Sequence, residues 1–178
     1  MDVRIADGAD FLLAGLAFYG DPFSRNAGWT EENEIGRLWS RFMRYREERP
    51  DEFPAVSSFR HPGMSGPTGE IPMLEVHIYD TRTEETGHYE IFVGYPVDAV
   101  GNLPAVLSFK HLFSAKTAWF TLSGKAMEND DSYAAMEAWI GANGFVRDGG
   151  WTCNVYDGRF KGIDRLDESV IDVCIPVR

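Results

Sequence analysis

The stretch Met73-Leu74-Glu75-Val76-His77-Ile78-Tyr79 alternates apolar residues with polar or aromatic ones, the period-two pattern of a strand with two unlike faces. Leu74, Val76 and Ile78 make one face and suit a core. Glu75, His77 and Tyr79 make the other, which is either a solvated sheet surface or the wall of a site. Across the polar turn Thr81 to Gly87, Tyr89 to Val97 reads as the antiparallel partner of this strand.

Upstream, Phe11 to Tyr19 is a short apolar run closed by Gly20-Asp21-Pro22, and so a buried strand. From Glu31 to Glu48 the apolar residues Ile35, Leu38, Trp39, Phe42 and Met43 fall on one helical stripe, with Thr30 as the expected N-cap and Pro50 as the stop. Downstream the plan repeats. Lys116 to Ser123 reads as a strand, Ser132 to Asn143 as a helix ended by Gly144, Trp151 to Asp157 as a strand and Ser169 to Val177 as the last.

Three short matches in the same order support an internal repeat. Leu38-Trp39 corresponds to Ala138-Trp139 at an offset of 100, Ile78-Tyr79-Asp80 to Val155-Tyr156-Asp157 at 77, and the segment ending in Pro96-Val97 to that ending in Pro176-Val177 at 80. The reading is therefore an α+β protein, one domain over residues 1–178, built from repeats over about 1–100 and 101–178. A sheet of three strands cannot cover its own apolar face. Two strand-helix-strand-strand units forming one antiparallel sheet, with both helices packed on it, leave a groove at their junction, where ligand sites concentrate.

Composition narrows the function classes. The 178 residues carry 28 acidic against 17 basic side chains, a net charge of −11, which opposes the phosphate backbone and disfavours direct nucleic-acid binding. Cys153 and Cys174 lack a Cys-x-x-Cys spacing, so reduced thiols and a cytoplasmic location are expected. No apolar run reaches the roughly 20 residues that span a bilayer, so no membrane association is expected. His61, His77, His88 and His111 show no paired metal spacing, and no phosphate loop or nucleophile motif is present, so neither metal nor cofactor is expected.

The chain resembles the gyrase-inhibitor-like (GyrI-like), AraC-type effector-binding domain family. The resemblance is carried by Glu32-Asn33-Glu34-Ile35-Gly36-Arg37-Leu38-Trp39-Ser40-Arg41-Phe42, by Tyr89-Glu90-Ile91-Phe92-Val93-Gly94, by Val155-Tyr156-Asp157-Gly158-Arg159-Phe160 and by Glu168 to Val177. It implies the duplicated fold and a central pocket for hydrophobic, often cationic effectors, where aromatics stack and a buried carboxylate offsets the ligand charge. Relatives often carry a helix-turn-helix segment ahead of this domain; about ten residues precede the first expected strand here, so no DNA-reading module is expected. Many members carry a glutamate two residues before the tyrosine matched to Tyr156. Here that position is Asn154, so the charge must come from Glu75 or Glu90.

The candidate ligand-binding residues are thus Trp39, Phe42, Glu75, His77, Tyr79, Glu90, Phe92, Trp119, Asn154 and Tyr156. By the repeat match, Thr152, Asn154 and Tyr156 share the face equivalent to that of Glu75, His77 and Tyr79. Carboxylate, imidazole, amide and phenols on one wall suit an organic cation, for which a ring face contributes roughly 0.5 to 2 kcal/mol. Three functions are open: a binding protein for a hydrophobic, cationic or aromatic small molecule, a small hydrolase of reactive xenobiotics using pocket carboxylates such as Glu75 with His77, and an interaction protein that inhibits a larger enzyme. A protein partner or a homodimer is compatible with each.

Overall fold

A computed structural model describes residues 1–52, 72–101, 104–127 and 131–178. His61 and most of the irregular Pro62–Pro72 stretch lie outside the described residues, as do Asn102 and Leu103. The strands are β1 (Asp2–Gly20), β2 (Met73–Ile78), β3 (Tyr89–Pro96), β4 (Ser108–Ser123), β5 (Trp151–Tyr156) and β6 (Val170–Pro176). Two longer helices, α1 (Glu34–Glu48) and α4 (Asp131–Ala142), are joined by the single turns α2 (Thr83–Thr86) and α3 (Gly124–Met127). Among the described residues, no helix is long and apolar enough to cross a membrane.

All strand pairs are antiparallel, in the order β1-β3-β2-β5-β6-β4, and β4 pairs back onto β1 to close the sheet into a barrel. Closure uses two strands longer than the sequence suggests. β1 begins at Asp2, where Phe11 was expected, and β4 at Ser108, where Lys116 was expected. Their added segments are mostly exposed or half-buried, so hydrophobic patterning does not mark them; the ladder from Asp2↔Thr121 to Gly15↔Ser108 holds them in place.

Three apolar clusters follow from the alternation. Phe11, Leu13, Leu74, Val76, Phe92, Trp119, Cys153, Val155 and Cys174 fill the barrel interior. Outside it, α1 lays Leu38 and Phe42 over Ala14, Leu16, Ile91, Val93 and Tyr95, while α4 lays Met136 and Ile140 over Phe120, Ile171, Val173 and Ile175. Trp39 touches both outer clusters. Cys153 and Cys174 face each other across β5 and β6 as free, fully buried thiols.

The register fixes which residues of the two halves are equivalent. The amides of Val97 and Val177, 80 residues apart, bond the carbonyls of Leu12 and Lys116 and so take corresponding places in the ladder. Gly94 then corresponds to Cys174; Gly94 pairs with Leu74 and Cys174 with Cys153. Leu74 is therefore equivalent to Cys153, Glu75 to Asn154 and His77 to Tyr156. This corrects the sequence match at 77, which made Tyr79 and Tyr156 a symmetric pair: the tripeptides look alike, but hydrogen-bond register, not side-chain similarity, sets equivalence.

Gly15 and Gly94 face each other across β1 and β3. A Cβ on Gly15 would lie 2.1 Å from the Val93 carbonyl oxygen, and one on Gly94 2.3 Å from that of Ala14. Both obstacles are backbone, so neither can swing aside. Gly15→Ala is expected to destabilise the fold by roughly 1–3 kcal/mol, the range for overpacking, as read from the midpoint of urea unfolding. An unchanged midpoint would show that the strand relaxes.

Candidate functional site

The outward faces of β2 and β5 run side by side at the centre of the sheet, leaving a gap between α1 and α4. Their register sets Met73 opposite Tyr156, Glu75 opposite Asn154 and His77 opposite Thr152. Above them opens a cavity of about 950 Å³, within the size of sites for drug-sized molecules.

Glu75 forms its floor. The residue is 5% exposed, and both carboxylate oxygens are engaged. Oε1 accepts from His77 Nε2 at 2.8 Å and from Asn154 Nδ2 at 3.3 Å. Oε2 accepts from Trp39 Nε1 at 2.5 Å and from the Tyr156 hydroxyl at 3.4 Å. Burial alone would raise its carboxyl, but the hydrogen bond and charge of His77, with the N–H groups of Trp39 and Asn154, hold it below the ordinary carboxylate value. Glu75 is therefore held as the carboxylate.

Aromatic rings make the walls. On one side Tyr156 meets Trp39 at 5.1 Å and Phe160 at 4.9 Å between centroids, both edge-on. On the other, Tyr79 and Tyr89 lie 5.3 Å apart. Tyr133, from α4, donates to Asn154 Oδ1 at 3.3 Å. Burial, and then the Glu75 charge or each other's, raises the phenols of Tyr79, Tyr89, Tyr133 and Tyr156 above their ordinary value. They remain neutral, offering ring faces and hydroxyls and no base.

The connection from Asp21 to Asn33 forms a strap over the opening. Asn33 caps α1 by accepting from the Gly36 amide at 2.9 Å, and its Nδ2 donates to the Gly28 carbonyl at 2.8 Å. Thr30, the expected cap, instead accepts from the Glu32 amide, so α1 starts at Glu34. Gly28 takes a φ of 88°, open to glycine and strained for a larger residue. The turn sets Trp29 over the cavity, where Nε1 donates to the Met127 carbonyl in α3 at 2.9 Å and the ring meets Tyr156 and Phe160. This bond joins the two halves across the mouth.

Of the candidates named from the sequence, Trp39, Glu75, His77, Tyr79, Asn154 and Tyr156 line this cavity, and Phe42, Glu90, Phe92 and Trp119 do not. Phe92 and Trp119 point into the barrel. Glu90 shares the face of Phe92 and pairs with Lys110 at 2.7 Å. Phe42 is locked under α1 near Tyr95. The cavity lies on the opposite face of β3, which presents Tyr89. Tyr89, Trp29, Tyr133 and Phe160 escaped the sequence reading. A tryptophan between Gly28 and a helix start was a usable signal for Trp29, because loops beside a rigid scaffold carry binding residues.

No family model and no curated protein matches the sequence. Solved structures do. The chain is similar to SAV2435 bound to tetraphenylphosphonium, at 15% identity over 100% of this chain and 94% of that one, with a TM-score of 0.63. It is similar to the C-terminal domain of EcmrR, at 12% identity over 99% and 97% with a TM-score of 0.63. A hydrolase from Listeria innocua matches at 13% identity over 99% and 91% with a TM-score of 0.53. At these identities the likeness establishes architecture: the chain has the α+β effector-binding-domain fold, with its one antiparallel sheet of six strands.

Proposed function

We propose that this protein is a member of the GyrI-like effector-binding family and binds a hydrophobic organic cation, non-covalently, between Trp29, Trp39, Tyr79, Tyr89, Tyr133 and Tyr156. The observation that carries this reading is one buried carboxylate at the floor of a cavity walled mostly by neutral aromatic and aliphatic side chains, with Glu31, Lys161 and Asp164 also in its lining. Its lone-pair directions are already filled by four protein donors, so it acts on a ligand through its field, a mode that suits a quaternary or delocalised cation needing no hydrogen bond. The resemblance in fold to a protein bound to tetraphenylphosphonium agrees with this chemistry. The same engagement of Glu75 argues against its use as a nucleophile or base, which requires a free lone pair aimed at substrate.

A thermal-shift panel tests the reading, because a ligand that binds only the native state stabilises it by RT ln(1 + [L]/Kd). Tetraphenylphosphonium at about 100 times its Kd is expected to add about 2.7 kcal/mol, neutral aromatics less and aromatic anions nothing. Anions that stabilise as well as cations would reject it, and hydrolysis of any stabilising compound would promote the hydrolase reading instead.

A further inference from the structure

The duplicated register places a titratable imidazole and a neutral phenol at equivalent positions on either side of one carboxylate. His77 and Tyr156 are equivalent residues, and both reach Glu75, through Oε1 at 2.8 Å and Oε2 at 3.4 Å. Tyr156 keeps its proton. His77 is 8% exposed and carries the imidazole of the pair, the side chain that can hold either one proton or two while keeping its bond to the carboxylate.

Resting on the cation-binding reading above, we propose that His77 and the organic cation are alternative counter-charges for Glu75, so that binding a cation expels a proton from His77 and the protein exchanges one for the other.

The surroundings of His77 allow both protonation states. On β2 it faces Glu75 and Tyr79, whose hydroxyl lies 3.5 Å from Nδ1. From β3 the Tyr89 ring lies 5.6 Å away, from β5 Thr152 stands opposite, and from α4 Tyr133 lines the same cavity. Of the fixed cations, Arg147 sits 5.3 Å over the Tyr79 ring and hydrogen-bonds that phenol, and Lys161 stands in the lining of the same cavity. Neutral His77 donates from Nε2 to Glu75 and accepts at Nδ1 from Tyr79. Protonated His77 donates from both nitrogens, and Tyr79 turns its own proton to Thr152 Oγ1, 3.3 Å away. With His77 protonated the floor is a neutral pair; with His77 neutral it carries the full Glu75 charge. A cation in the cavity favours the second state, and the released proton goes to solvent.

Calorimetric titration of the full chain with tetraphenylphosphonium, a permanent cation with no proton of its own, in buffers of different ionisation enthalpy counts the protons released. At about pH 6, at the acid end of the range in which imidazoles titrate, release of a substantial fraction of one proton per cation is expected, falling to none at about pH 8.5. Affinity should accordingly rise by up to about tenfold per pH unit at the acid end and then level off. His77→Gln, which retains a donor, should release no proton and bind with no such pH dependence. Binding without proton release at the acid pH, or with equal release from His77→Gln, overturns the exchange and leaves cation binding standing. No binding at any pH overturns the cation reading itself.

Discussion

Glu75→Gln is expected to weaken binding of tetraphenylphosphonium by about a hundredfold. A cation about 5 Å from a carboxylate, in surroundings of effective dielectric constant about 20, gains about 3 kcal/mol, and about 1.4 kcal/mol is a factor of ten. A neutral aromatic of similar size forfeits none of this Coulomb energy, so the ratio of the two affinities isolates the charge from any change in cavity shape. That control matters because glutamine also turns an N–H₂ towards donors. Trp39 and Tyr156, or His77 and Asn154, then meet a donor where they met an oxygen, at a cost of about 1–3 kcal/mol in stability. Acid provides a second readout. The Glu75 carboxyl is held below its ordinary value in the folded protein, so its stabilising contribution is complete above the unfolded carboxyl pKa of about 4.3 and is lost as pH falls through the folded value. The stability gap between wild type and Glu75→Gln should narrow below about pH 4. Equal losses of affinity for cation and neutral ligand would show that Glu75 shapes the cavity without supplying its charge.

The parts of this molecule legible in sequence are those set by local pattern. β2 follows from period two and β3 from the polar turn that pairs it with β2, α1 from its apolar stripe, α4 from its Gly144 stop, and the face shared by Glu75, His77 and Tyr79 from the pleat. Closure of the sheet was not legible, because the outer parts of β1 and β4 are held by each other's backbone and carry little apolar signal. Nor was the assignment of Phe92, Glu90 and Trp119 to the barrel interior and its rim: both faces of the sheet are apolar, one under helices and one inside the barrel, so alternation on β3 marks two faces without naming which one holds the cavity. The source of the charge depended on register. Asn154 stands where the resemblance placed a glutamate, and the equivalent position in the other half is Glu75, directly across the β2–β5 pair.

Arg159→Leu is expected to destabilise the fold by about 3 kcal/mol, lowering Tm by roughly 10 °C for a chain of this size. In the run from Val155 to Phe160, Tyr156 and Phe160 face the cavity, while Asp157 and Arg159 belong to an ion cluster at the barrel. The Arg159 guanidinium donates to both oxygens of Asp157, from Nε at 2.9 and 3.1 Å and from an Nη at 2.8 Å. It also donates to Asp172 Oδ2 at 2.6 Å. Asp172 is wholly buried, and its other oxygen accepts from the Thr121 hydroxyl at 2.7 Å. Removing the guanidinium leaves two buried carboxylates with no ion-pair partner among the described residues, which typically costs about 3–5 kcal/mol. The lower end applies because the Arg159 side chain is 23% exposed and its charge is partly met by water. The deficit should shrink in acid, where a proton can neutralise a buried carboxyl, and Asp172→Asn in the Arg159→Leu background should recover part of it. Because the cluster faces away from the cavity, the preference for tetraphenylphosphonium over a neutral aromatic should stay at the wild-type ratio while Tm falls. A loss of preference as large as that of Glu75→Gln would place the cluster within the electrostatics of the site, and an unchanged Tm would reduce it to a surface ion pair.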